Sequence, residues 1–343
     1  MGASVYSQRL GPIMPAQLQA ALSRFRLGAF VRAAPTFGGL FGQNLFLTSD
    51  QGEYVLRGKP HYPWQFPTEQ FFARLLHKRT VAPTPWPYLL DSSDDIFGWP
   101  YALMPRLPGF HFADDAWLAT LGPDDHLGIA VAMGETLADL HALEWPIAGR
   151  YNADTAQVEP YSGSFGAHII THIEELLALA LTYPAYTTQA DVDWARALIA
   201  AGRGALEEPC EPCVVMEDYH TGNVTVVREG AGDDTRWRIG GVFDLMTLSF
   251  GDGEADLARQ GRLYVYQEQS LAAAFFGAYL ARRPPRAGFP HRFPIYLLRD
   301  SLILWTFCLR RDDIWWPADM TLRGWVEDTL ARLTASGCLP ANR

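Results

Sequence analysis

The chain has 343 residues, 48% of them hydrophobic and 19% charged, and a formal net charge of −10. That length supports two domains or one large two-lobed core, and the composition excludes intrinsic disorder. Such acidity argues against nucleic acid and anionic membrane as partners and favours a cationic ligand. The amino terminus, MGASVYSQRL, lacks a basic segment followed by an apolar core, and no apolar run approaches the ~20 residues of a membrane span. A cytoplasmic location is therefore expected. Cys210 and Cys213 form one C-x-x-C without a second ligand pair at zinc-finger spacing, and are read as ordinary thiols.

In chain order, MPAQLQAALSRF (14–25) predicts a helix. The next stretch predicts an antiparallel meander, with a Gly-rich turn around Gly38, Gly39 and Gly42 and a tight turn at Asp50-Gln51-Gly52. A helix follows, with Thr68 expected at its N-cap and Phe71, Phe72, Leu75 and Leu76 on one face. The proline-rich segment after it carries two short strands, near 88–90 and 101–104. Beyond Pro108-Gly109 the pattern turns helical, with Ile129, Met133, Leu137 and Leu140 on one stripe. Further helices are predicted at 169–181, 190–206, 254–279 and from 295 onward. A β-rich island, 214–248, interrupts them and reads as one small hairpin.

The island holds the densest chemistry. VVMEDYHTGN (214–223) is a strand running into a turn that delivers Asp218, His220 and Asn223. RWRIGGVFDL then returns Asp244, with Gly240-Gly241 permitting close backbone approach. An aspartate and an asparagine on one loop, with a strand-end aspartate beside them, can hold a hard divalent cation through oxygen. D-x-x-x-x-N followed by such an aspartate is the arrangement of phosphoryl transfer in the kinase fold.

MEDYHTGN, VFDLM around Asp244 and GDGEADLA (251–258) together resemble the signature of the aminoglycoside phosphotransferase family of small-molecule kinases: H-G-D-x-H-x-G-N, then I-D-W/F, then G-D-P-x-x-D-L-A. TLADLHAL is similar to the family's L-x-x-L-H-x-L helix, and the C-terminal helices resemble its hygromycin B branch. The resemblance implies an α+β, two-lobed, protein-kinase-like fold, with a small sheet lobe over 1–105 and a helical lobe over 106–343. It implies ATP or GTP as co-substrate, Mg²⁺, and a small-molecule acceptor hydroxyl, first of all on an aminoglycoside.

The same resemblance implies roles. Asp218 orients or deprotonates the hydroxyl, and Asn223 and Asp244 hold Mg²⁺. Arg57 contacts the phosphates and Glu69 fixes it. Gly39 and Gly42 let the hairpin approach the phosphates, and adenine lies against a hinge at Leu103, Met104 and Arg106. His220 and Asp256 brace the loop. Three departures stand out: Met216 and Glu217 replace the motif's His-Gly, an arginine or Lys59 replaces the usual phosphate-binding lysine, and Leu-Met follows Asp244. Two alternatives stay open, a kinase of choline, homoserine, a macrolide or a sugar, and an inactive nucleotide-binding module. For a cationic acceptor, Asp312 and Asp313 beside Trp315 and Trp316 are the candidate contacts.

Overall fold

A computed structural model describes residues 3–36, 42–230 and 235–339, so Gly38 and Gly39 lie outside the described residues. The chain forms two compact units: Met1–Gly122 with Tyr151–Gln157 and Thr221–Thr247, and Pro123–Arg150 with Val158–His220 and Leu248–Arg343.

The first unit is built on a five-stranded antiparallel sheet. Its strands lie in the order Phe30–Pro35, Asn44–Ser49, Gly52–Gly58, Tyr101–Pro105 and Leu89–Asp91. Strict alternation along NLFLTS sends Leu45 and Leu47 inward. There they join Leu56, Tyr101 and Leu103, and Leu18, Ala21 and Leu22 of the Pro15–Arg24 helix, in one cluster.

The second helix runs Gln65–Arg79 with Trp64 at its N-cap, so Thr68 is not the cap but a buried residue of the first turn. Pro67 does not block the earlier start, because a first-turn residue needs no amide donor. The Gln65 side chain accepts from the amide of His61 and fixes the entry.

The island does not form one hairpin. Val224–Glu229 pairs with Arg236–Val242 on one side and with Phe110–His111 on the other. Those bonds draw 221–247 into the first unit, so the units do not follow a single cut after residue 105. A Cβ on Gly241 would stand 2.5 Å from Leu107 Cδ1, which is why the strand needs glycine there.

In the second unit, the island's two ends, Cys213–Val215 and Ser249–Gly251, pair antiparallel. Helices Pro123–His141 and Gln269–Arg282 cross closely at Gly134, where a Cβ would meet the Phe275 carbonyl oxygen at 2.3 Å. Helix Phe289–Arg311 packs on Phe165–Ala180, Gln189–Glu207 and Leu257–Gln267. The expected single helix over 254–279 is broken at Glu268, whose backbone is extended. Among the described residues no helix is long and apolar enough to cross a membrane.

Candidate active site

Arg57 sits on the Gly52–Gly58 strand with only 12% of its side chain exposed. Its Nε and one terminal nitrogen donate to Glu69 Oε1 at 3.2 and 2.9 Å, and that nitrogen also reaches Asp244 Oδ1 at 3.2 Å. The other terminal nitrogen donates to Asn44 Oδ1 at 3.3 Å. Glu69 is buried on its helix, and its two oxygens accept from Gln65 Nε2 at 3.1 Å and the Tyr88 hydroxyl at 2.7 Å. Burial pulls the Arg57 guanidinium down, but Glu69 and Asp244 outweigh it, and its pKa is raised. Lys59 lies elsewhere, its Nζ on the Arg9 carbonyl at 3.1 Å. The structure therefore brings Arg57, and not Lys59, to Glu69 and Asp244.

Asp244 follows the Arg236–Val242 strand in a left-handed conformation, φ +62°, and precedes the turn Leu245–Thr247 that packs on the Gln65–Arg79 helix. The Asn223 carbonyl accepts from the Phe243 amide at 3.0 Å, tying the loop to the strand end that carries Asp244. Both are oxygen donors of the hard type that Mg²⁺ prefers. Two protein ligands suit an ion that keeps water and phosphate in its remaining positions, so these residues fit the metal.

Gly42 has φ +57° and packs on Ser7. Leu103 is fully buried in the sheet core, Met104 nearly so. Arg106 lies over the Phe46 ring at 4.0 Å and donates its amide to the Glu53 carbonyl.

Asp218 belongs to the second unit. Its Oδ1 accepts a short hydrogen bond from Arg259 and faces His220 Nε2 at 3.5 Å. Arg259 also donates through Nε to Asp300 Oδ1 at 2.6 Å, and Arg262 holds the other Asp300 oxygen at 2.7 Å. Burial pushes the Asp218 carboxyl up, but the His220 hydrogen bond and Arg259 outweigh it, so its pKa is lowered. Asp300, against burial, is held at about 2 by Arg259 and Arg262. Asp256 accepts from the amides of Met216 and Glu217 at 2.6 and 2.8 Å and faces His141 Nε2 at 3.1 Å.

Glu217, in the left-handed region at φ +62°, turns its side chain into a second buried network. Arg299 donates to its Oε2 at 2.9 Å, Ser249 to its Oε1 at 3.0 Å, and Arg150 lies 3.6 Å from Oε1.

Asp312 caps the Phe289–Arg311 helix. Twelve residues beyond Asp300 at 1.5 Å each, it and Asp313 lie about 18 Å further along that helix. Trp315 is exposed, but Trp316 is buried against Trp305 at 3.9 Å, so it cannot stack on a ligand as expected.

Arg259, Asp300 and Arg299 were not singled out by sequence. Arg259 directly follows the D-L-A triplet, the only signal that could have marked it.

The profile of a phosphotransferase enzyme family matches residues 37–289. No curated protein matches the chain. Among solved structures, a thermostable mutant of aminoglycoside phosphotransferase APH(4)-Ia, in a ternary complex with ADP and hygromycin B, is similar at TM-score 0.59 and 14% identity, covering 94% of this chain and 98% of that one. The GDP complex of aminoglycoside 2'-phosphotransferase-IIIa gives 0.58 and 13%, covering 92% and 95%. Choline kinase LicA from Streptococcus pneumoniae gives 0.53 and 13%, covering 93% and 98%. The fold of the chain is thus that of small-molecule kinases, and ADP or GDP occupies two of the three.

Proposed function

The chain belongs to the phosphotransferase enzyme family, and on that premise we propose that it moves the γ-phosphoryl group of ATP or GTP to a hydroxyl of a small molecule, with Asp218 as the catalytic residue. The linkage of Arg57 to both Glu69 and Asp244 carries the reading, because it ties a phosphate-binding cation to a metal-binding carboxylate. Arg57 contacts the nucleotide phosphates through its guanidinium, and Glu69 keeps that guanidinium from wandering. Asn223 and Asp244 would hold Mg²⁺, which supplies neutralisation of phosphate charge when bound.

Asp218 stays ionised because Arg259 and His220 stabilise its charge. An ionised carboxylate is a weak base at neutral pH, so its work is to accept the hydrogen bond of the acceptor hydroxyl and aim its lone pair. The acceptor oxygen bonds to the γ-phosphorus as the bond to the β,γ-bridging oxygen breaks. The hydroxyl proton passes to Asp218 late in that transfer and from there to water.

The test is nucleotide turnover with Mg²⁺, using ATP and GTP in parallel, against aminoglycosides, macrolides, choline, homoserine and sugars. Acceptor-dependent turnover that Asp218→Asn abolishes while nucleotide affinity persists is the expected result. Undiminished turnover in Asp218→Asn would sink the assignment.

A further inference from the structure

The electrostatics beside Asp218 run against the overall acidity of the chain. Glu217, the residue next to it and about 3.8 Å away between Cα atoms, is the nearest carboxylate that a cationic acceptor could use. It is already taken. Arg299 donates to one oxygen at 2.9 Å, Ser249 to the other at 3.0 Å, and only 12% of the side chain is exposed. Asp300 is enclosed by Arg259 and Arg262 in the same way. Asp256 is held by two backbone amides and His141.

Arg150 shows the opposite balance. Its side chain is 58% exposed, and its nearest carboxylate contact, with Glu217, is long at 3.6 Å. A guanidinium carries five N–H donors in a fork that matches carboxylate and phosphate oxygens, and one distant carboxylate already shared with Arg299, with the neighbouring Tyr161 hydroxyl, does not saturate it. Beside this network, helix Phe165–Ala180 presents His168 and His172. His172 Nδ1 accepts from Arg299 Nε at 3.0 Å, and His168 stacks on Tyr161 at 3.8 Å with its buried Nε2 lacking a hydrogen-bond partner. Glu175, one turn beyond His172, is an exposed carboxylate near the cluster.

We infer that the acceptor carries an anionic group, a carboxylate or a phosphate, and that Arg150 receives it over the Glu217–Arg299 pair. This rests on the kinase reading for the word acceptor, but the anion subsite itself does not depend on turnover. An ammonium placed there would meet Arg150 with Glu217 already held by Arg299 and Glu175 as the open carboxylate nearby, so a polycationic sugar is disfavoured.

The experiment measures binding first, with ADP and Mg²⁺ saturating so that anions cannot enter through the nucleotide site. Four hexoses of similar size and different charge are the probes: glucuronate, glucose 6-phosphate, glucose and glucosamine, read by calorimetry and thermal shift. The expected result is binding of one of the two anions, which also tells carboxylate from phosphate, at least tenfold tighter than glucose. Arg150→Gln should remove that preference and leave ADP binding and folding intact, whereas Glu175→Gln should change nothing. Equal affinity for all four, no binding of either anion, or preference for glucosamine lost in Glu175→Gln would each overturn the inference. So would an Arg150→Gln variant that loses stability while keeping the anion preference, because Arg150 would then serve only to hold Glu217. Asp218-dependent turnover of neutral or cationic acceptors alone would end the inference and leave the kinase reading standing. Anion binding without turnover of any acceptor would do the reverse.

Discussion

Arg259 gives the sharpest prediction, because one side chain joins two carboxylates. It touches Asp218 and Asp300, with 17% of its own side chain, 29% of the Asp218 side chain and 9% of the Asp300 side chain exposed. Arg259→Met keeps the aliphatic bulk and removes the charge. Asp300 retains Arg262, so the larger loss of charge pairing falls on Asp218, whose His220 contact remains. An arginine beside a carboxylate lowers its pKa by roughly 1–3 units, and each unit corresponds to about 1.4 kcal/mol. With His220 still in place and Asp218 partly exposed, the carboxyl moves only part of the way back toward its ordinary value.

The sign follows from linkage. The folded-state pKa of Asp218 is depressed, so its stabilising contribution is present above the unfolded value and is lost as pH falls through the folded value. In Arg259→Met that contribution shrinks, and the acid limb of kcat/KM moves to higher pH. A double-mutant cycle in urea, with Asp218→Asn and Arg259→Met, should report a coupling of about 0.5–3 kcal/mol at pH 7. Coupling under about 0.5 kcal/mol together with an unmoved acid limb would refute the argument, since a structural arginine would then have been mistaken for an electrostatic one.

Four further outcomes are expected. Glu69→Gln removes the charge that holds Arg57 and should raise the nucleotide KM about tenfold, or about 1.4 kcal/mol, with a smaller effect on kcat; an unchanged KM counts against the Arg57 role. Asp244→Asn should abolish the Mg²⁺-dependent part of nucleotide-induced thermal stabilisation, which a titration with and without chelator reads directly. Gly241→Ala forces a methyl to within 2.5 Å of Leu107 Cδ1 and should cost about 1–3 kcal/mol in denaturant unfolding. Burial, aided by Arg299, holds folded His168 neutral down to about 4. Between about pH 6.5 and 4 the unfolded chain therefore binds a proton that the folded chain does not, and stability falls as pH falls through that window. His168→Gln should flatten the fall, and identical pH curves for the two proteins would contradict it.

Much of the fold was legible because its periodicities are local. NLFLTS alternates, IAVAMGETLADL carries a helical stripe, and both became the elements those patterns dictate. The Thr68 cap failed for a local reason too: the Gln65 contact with His61 begins the helix earlier, and Thr68 falls in its first turn. The island failed for a non-local one. Its strand Val224–Glu229 bonds to Phe110–His111, more than a hundred residues earlier, and no pattern within 214–248 encodes that partner.

The sequence by itself determined the chemical inventory of the site: Asp218, Asn223 and Asp244 at fixed spacings, and Glu69 on a helix after the strand that carries a base. Spacing along the chain can do this because a turn and a strand pair constrain neighbours in sequence. Which base meets Asp244 was open between Arg57 and Lys59, and only the register of the sheet decided for Arg57. That Asp218 is held by Arg259, and Glu217 enclosed by Arg299 and approached by Arg150, was likewise decided in three dimensions. Arginines spread over more than a hundred residues, on two helices and a strand, become neighbours of two consecutive carboxylates only when those elements pack, because Coulomb attraction acts on distance through space and leaves no period in the chain.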